Sequence, residues 1–120
     1  MDVNGIIKGL EQVTGLEVVQ DIYEGKKKQY IVFSYQDERP ALMGDDMVIF
    51  DRCDIYVHLY TEPQYDYHAM KHAIRDYLEG HGFYVTIQSW IEDLDEQSVK
   101  KIRDTTFDCE YSDFRNTLSI

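Results

Sequence analysis

The 120-residue chain carries 12 Lys and Arg against 23 Asp and Glu, a net charge of -11, with 43% apolar residues spread along its length. That size fits one domain around one core, residues 1–120, and the sign of the charge argues against tight binding to nucleic-acid phosphates or an anionic membrane. No run approaches the ~18 apolar residues of a membrane span. Met1-Asp2-Val3-Asn4-Gly5 has neither the basic nor the apolar region of a secretion signal, so the chain is expected in the cytosol when made.

Val3, Ile6, Ile7, Leu10 and Val13 recur at helical spacing, with Asp2 placed to cap the start and Gly15 to end it. Leu16 to Tyr23 reads as a strand, and Glu24-Gly25-Lys26 with Lys27 and Lys28 reads as a solvated hairpin turn. Gln29 to Gln36 is rich in aromatic and β-branched residues and predicts a well-covered strand. Asp37 to Asp46 combines charge with Pro40 and Gly44, and predicts a loop projecting from the sheet. Met47 to Tyr60 is a long strand, with Cys53, Ile55, Val57 and Leu59 on one face and Asp54, Tyr56, His58 and Tyr60 on the other.

After Pro63 a helix is expected from about Asp66 to Glu79, presenting Met70, Ala73, Ile74, Tyr77 and Leu78 on one side and stopped by Gly80-His81-Gly82. Phe83 to Ile91 alternates as a strand, and Arg103 to Tyr111 forms the last, with Phe107, Cys109 and Tyr111 inward. Two one-sided helices are enough to cover one face of about five strands, which predicts an α+β two-layer sandwich with a mainly antiparallel sheet. The expected core is Ile7, Leu10, Val57, Leu59, Ile74, Leu78, Val85, Ile87 and Phe107. Cys53 and Cys109 fall at inward positions and read as buried thiols rather than a disulfide or metal pair.

On the other face, Tyr56, His58, Tyr60, Tyr84 and Trp90 are large amphipathic groups of the kind that fill interface cores, and Tyr56, His58, Tyr60 and Trp90 are the candidate contact residues. Chemical signatures are weaker. No Gly-rich phosphate loop, Gly-x-Ser-x-Gly elbow or Cys-x-x-Cys pair is present. His68-Ala-Met-Lys-His72 has metal-ligand spacing, but Ala69 stands where a zinc protease needs its Glu, and a solvated helix face explains the pair without a metal. The acidic pairs Asp45-Asp46, Glu92-Asp93 and Asp95-Glu96 read as solvated loop charge, and Tyr65, Tyr67 and Tyr77 lack the basic groove of a nucleic-acid stacking platform. The reading is a non-enzymatic chain with no cofactor and no metal.

Three stretches carry a family resemblance: Tyr30-Ile-Val-Phe-Ser-Tyr-Gln-Asp-Glu-Arg-Pro40, Gly44-Asp45-Asp46, and Tyr56-Val-His-Leu-Tyr-Thr61. In order and spacing the segment from Leu16 to Tyr111 resembles the tail completion, or tail terminator, proteins of long-tailed phages and prophages. Gln29 replaces the Pro common before the first stretch, and residues 113–120 form a tail without counterpart, expected to be disordered. The resemblance implies a virion tail protein, made in the host cytoplasm, that caps the tail tube as a hexameric ring, ends tail growth and offers a surface to the head connector. Its implied partners are its own copies, the tail tube protein and the head connector protein, while DNA passes through without tight binding.

In such a ring the acidity gains a second meaning, because carboxylates lining a bore would repel passing phosphates. The first candidates to face the bore or a neighbour are Asp37, Glu38, Arg39, Asp45 and Asp46. A neighbouring neck protein and a part of a tail-like bacteriocin fit the same stretches. From other classes, an acidic DNA mimic is suggested by charge alone, and an enzyme completed between subunits would use His58 or His81 with a neighbour's carboxylate.

Overall fold

The computed structural model describes residues 2–43, 48–94 and 100–114, and for 37–43, 48–51 and 113–114 the backbone alone. Asp2 starts the first helix, its carboxylate accepting from the Gly5 amide at 3.0 Å. The expected single helix is two short ones, α1 (Val3–Lys8) and α2 (Leu10–Thr14), jointed at Gly9. A side chain there would meet Tyr77 Oη at 2.2 Å, so Gly9 lets Tyr77 approach and donate to the Ile6 carbonyl at 2.7 Å. Gly15, at φ 74°, ends α2 as the sequence predicts.

Five strands follow the order β1-β2-β3-β5-β4 in one mixed sheet: β1 (Val18–Gln20), β2 (Tyr30–Met43), β3 (Val48–Thr61), β4 (Tyr84–Asp93) and β5 (Lys101–Phe114). All neighbours are antiparallel except β1, which runs parallel to β2 with Val18 beside Ile31. This corrects the hairpin expected at Glu24 to Lys28. Asp21 takes a left-handed φ of 66° and its amide donates to the Phe33 carbonyl, and residues 21–29 carry the chain back to the start of β2. Tyr23 lies flat on Tyr30 at 3.9 Å and its hydroxyl accepts from the Lys27 amide, so the return path has its own packing.

The expected loop over Asp37 to Asp46 is also corrected. Residues 37–43 continue β2, pairing from Asp37 beside Asp54 to Met43 beside Val48, after a register shift between Tyr35 and Asp37; Asp45 and Asp46 lie outside the described residues. Beyond Phe33 no described strand pairs with the other side of β2, so this segment is an edge. An edge tolerates Pro40, which cannot donate to a ladder, and its charged residues discourage pairing with stray strands. Pro and charge thus marked an edge strand, not a loop.

Helix α3 (His68–Gly80) ends with the His81 and Gly82 amides bonded to the Leu78 and Glu79 carbonyls and Gly82 at φ 97°. The helices cover one sheet face. Ile7 and Leu10 meet Ile74 and Leu78 over Val18, Ile31, Phe33, Ile55, Val57, Leu59, Phe107 and Cys109, with Val85 and Ile87 at the margin of this core. Cys53 and Cys109 are both buried. Burial, reinforced by Asp108, pushes the Cys109 thiol up to about 12, so it stays protonated at neutral pH. Glu92 and Asp93 belong to β4 rather than to a loop, Asp95 and Glu96 lie outside the described residues, and β5 takes the first two residues of the expected tail.

Candidate interface on the uncovered sheet face

Alternation places Tyr30, Val32 and Ser34 of β2, Tyr56, His58 and Tyr60 of β3, Asp104, Thr106 and Asp108 of β5 and Tyr84, Thr86, Gln88 and Trp90 of β4 on the face opposite the helices. The register sets the four candidate residues in three successive rows. Tyr30, Tyr60, Asp104 and Trp90 make one row across four strands, and Val32, His58, Thr106 and Gln88 make the next. Ser34, Tyr56, Asp108 and Thr86 make the third.

The rings form a continuous ladder. Tyr23 stacks on Tyr30, Tyr30 meets Tyr60 at 5.2 Å, Tyr60 stacks on His58 at 5.6 Å, and Tyr56 meets His58 edge-on at 6.2 Å. Trp90 remains 40% exposed and Tyr84 73%, so the β4 side of the ladder is open to solvent. Such rings present wide apolar area with polar tips and lose little freedom on contact, which suits a protein partner.

Within the ladder lies a buried acid. Asp104 is 3% exposed, and its carboxylate lies 3.0 and 3.2 Å from His58 Nδ1 while accepting from the Thr106 hydroxyl at 2.9 Å. The Tyr60 hydroxyl also bonds Asp104, and burial followed by the charges of Asp104 and Glu92 raises the Tyr60 pKa well above the ordinary phenol value. A nucleophile relay needs the carboxylate on one imidazole nitrogen and the hydroxyl on the other. Here Thr106 Oγ1 also lies 2.9 Å from Nδ1, so the network fixes the ring plane of His58 rather than relaying a proton through it.

Asp104 and Thr106 were not among the candidates, although the inward reading of Phe107, Cys109 and Tyr111 implies that Asp104, Thr106 and Asp108 point outward. Their pairing with His58 needed the register of two strands 46 residues apart. Asp37, Glu38 and Arg39 lie on the β2 edge, away from the ladder; their backbone alone is described, and Asp45 and Asp46 fall outside.

His68 and His72 do lie on the solvent side of α3. His68 stacks on Tyr67 at 4.7 Å, His72 Nδ1 lies 3.3 Å from Arg75, and Arg75 in turn pairs with Glu79 at 3.6 Å. Among the described residues no three His, Cys, Asp or Glu side chains stand close enough to share a metal ion. No helix among them is long and apolar enough to cross a membrane.

No protein-family model matches the chain, and no curated protein matches it. Among solved structures, a chain from the virion of a native gene transfer agent particle aligns over 92% of this chain and 91% of its own, at 14% identity and a TM-score of 0.49.

Proposed function

We propose that the chain is a structural virion subunit of the phage type, which caps a tail tube as a ring, ends tail growth and offers the surface to which the head joins. The observation that carries this reading is the sheet face that no described element covers, where Tyr56, His58, Tyr60 and Trp90 share one side and a buried His58–Asp104 network stiffens its middle. Stiff aromatic surface beside a buried acid is costly for a lone subunit and useful in a contact. The stretches that carry the resemblance support the same reading, since Tyr30 to Pro40 and Tyr56 to Thr61 are neighbouring strands of one hairpin. In a ring, Asp37 and Glu38 on the β2 edge, with Asp45 and Asp46, are the acids we assign to the bore, where they would keep DNA moving without holding it.

The test is solution mass at low and high salt, with and without tail tubes, joined to electron microscopy of the tubes. A ring of about six copies on the tube end is expected. A chain that stays monomeric in every condition and leaves tubes uncapped sinks the proposal. Tyr56→Glu is expected to abolish assembly while leaving the melting temperature within a few degrees.

A further inference from the structure

Five of the twelve basic residues of this acidic chain gather at one end of the sheet. A cleft of about 740 Å³ opens there between the β1–β2 connection and the start of β5, lined among the described residues by Lys26, Lys27, Lys28, Lys100 and Lys101 with the carboxylate of Glu62. The stacked pair Tyr23 and Tyr30 forms part of its wall and is also the first step of the aromatic ladder. Lys28 reaches Glu62 at 3.8 Å and Lys101 reaches Asp93 at 2.6 Å, but both lysines are more than half exposed and these surface pairs are weak.

The other end of the same face carries the opposite charge. Asp54 and Glu110 are cross-strand partners, and Asp108 is the next residue of β5 on that side. Only Arg52 answers them among the described ion pairs, at 3.1 Å from Glu110. Asp108 Oδ1 is buried and has no hydrogen-bond partner among the described residues. Burial, then the charges of Asp54 and Glu110, raises the Asp108 carboxyl above its ordinary value, a mark of a site short of positive charge. From Tyr60 beside the cleft to Asp54 is six strand residues, about 20 Å.

We propose that the lysine cleft of one copy receives the Asp54, Asp108 and Glu110 carboxylates of the next copy, head to tail. This rests on the ring reading, and supplies its contact: a surface that offers one sign of charge to one neighbour and the opposite sign to the other is heterologous, the kind that closes a ring. A second copy fits better than nucleic acid, because both meet the chain's net negative field, but a neighbour adds burial of the aromatic ladder to the charge contact.

The experiment uses an equal mixture of ordinary and ¹⁵N-labelled protein assembled on tail tubes, coupled with a carbodiimide that joins amines directly to carboxylates, and read by mass spectrometry. Mixed-isotope links from Lys26–Lys28 or Lys100–Lys101 to Asp54, Asp108 or Glu110 are expected. Assembly without these links overturns the contact and leaves the ring standing. A discrete dimer that carries them keeps the contact and overturns the ring, and a chain monomeric throughout overturns both.

Lys27→Glu with Lys28→Glu is expected to weaken association about tenfold or more. Adding Asp54→Lys and Glu110→Lys to the same chain returns the net charge to its starting value and should restore association, with folding checked by circular dichroism. Unchanged association in the first variant, or no recovery in the second, overturns the proposal. So does protection of the cleft lysines from coupling by a single-stranded oligonucleotide at physiological salt, which would assign the cleft to phosphate.

Discussion

Asp104 and Asp108 stand four residues apart on one strand face, with Thr106 between them, yet they stand on opposite sides of the stability balance. Asp104 is surrounded by donors from His58, Thr106 and Tyr60, so Asp104→Ala should cost about 1–3 kcal/mol in urea unfolding by stranding those groups. Asp108 has a raised carboxyl, and a raised group contributes stability below its unfolded value, near 3.8, that is lost as pH climbs through its folded value. At pH 7 that contribution is gone. Asp108→Asn should therefore raise the melting temperature of the isolated subunit at pH 7 and leave it nearly unchanged near pH 3, while weakening assembly. Tyr60 follows the same sign at the alkaline end: its contribution is intact below pH 10 and lost as pH rises from there through the folded value, so Tyr60→Phe should flatten the alkaline fall in stability.

At the scale of elements, the joint at Gly9 makes an unusual prediction. Gly to Ala inside a helix normally gains up to about 1 kcal/mol, but here the new methyl would displace Tyr77 from the Ile6 carbonyl, and Gly9→Ala should lose about that much instead. Ile74→Asp should cost several kcal/mol by placing an unpaired charge in the core. The helices, the long β3 and the inward and outward faces were legible because each rests on local periodicity. Three features were not. The parallel placement of β1 depends on where its return path packs, which Tyr23 and Tyr30 decide together. The extension of β2 through Pro40 depends on its being an edge, a property of the whole sheet order. The His58–Asp104 pair depends on register, which a single strand cannot carry; the aromatic residues of the candidate face needed only alternation, and for that reason they were found.

For the whole molecule, charge acts at two ranges. Copies carrying -11 each repel one another at a distance, while the lysine cleft and the acidic patch attract when close. With a screening length of about 10 Å at 0.1 M salt and 3 Å at 1 M, the long-range repulsion fades first. Association should therefore strengthen from low to moderate salt and weaken again toward molar salt, a maximum that sedimentation over a salt series can locate. A steady rise to molar salt would mean that no charged contact holds the copies together.

The strand order has a consequence for the sequence of events as the chain is synthesised. β3 lies at the centre of the sheet, and one of its two neighbours, β5, is the last of the five described strands to be made. Among the described strands β4 pairs only with β5, so it too waits for residues 101–114 before it has a partner. Until then Ile55, Val57 and Leu59 sit on a strand with one open edge, and the emerging chain can form the β2–β3 hairpin but not the sheet. Ribosome-bound chains halted after Asp93 emerges should remain sensitive to protease, and resistance should come in one step once Phe114 clears the exit tunnel, because closing β5 between β3 and β4 completes both ladders together.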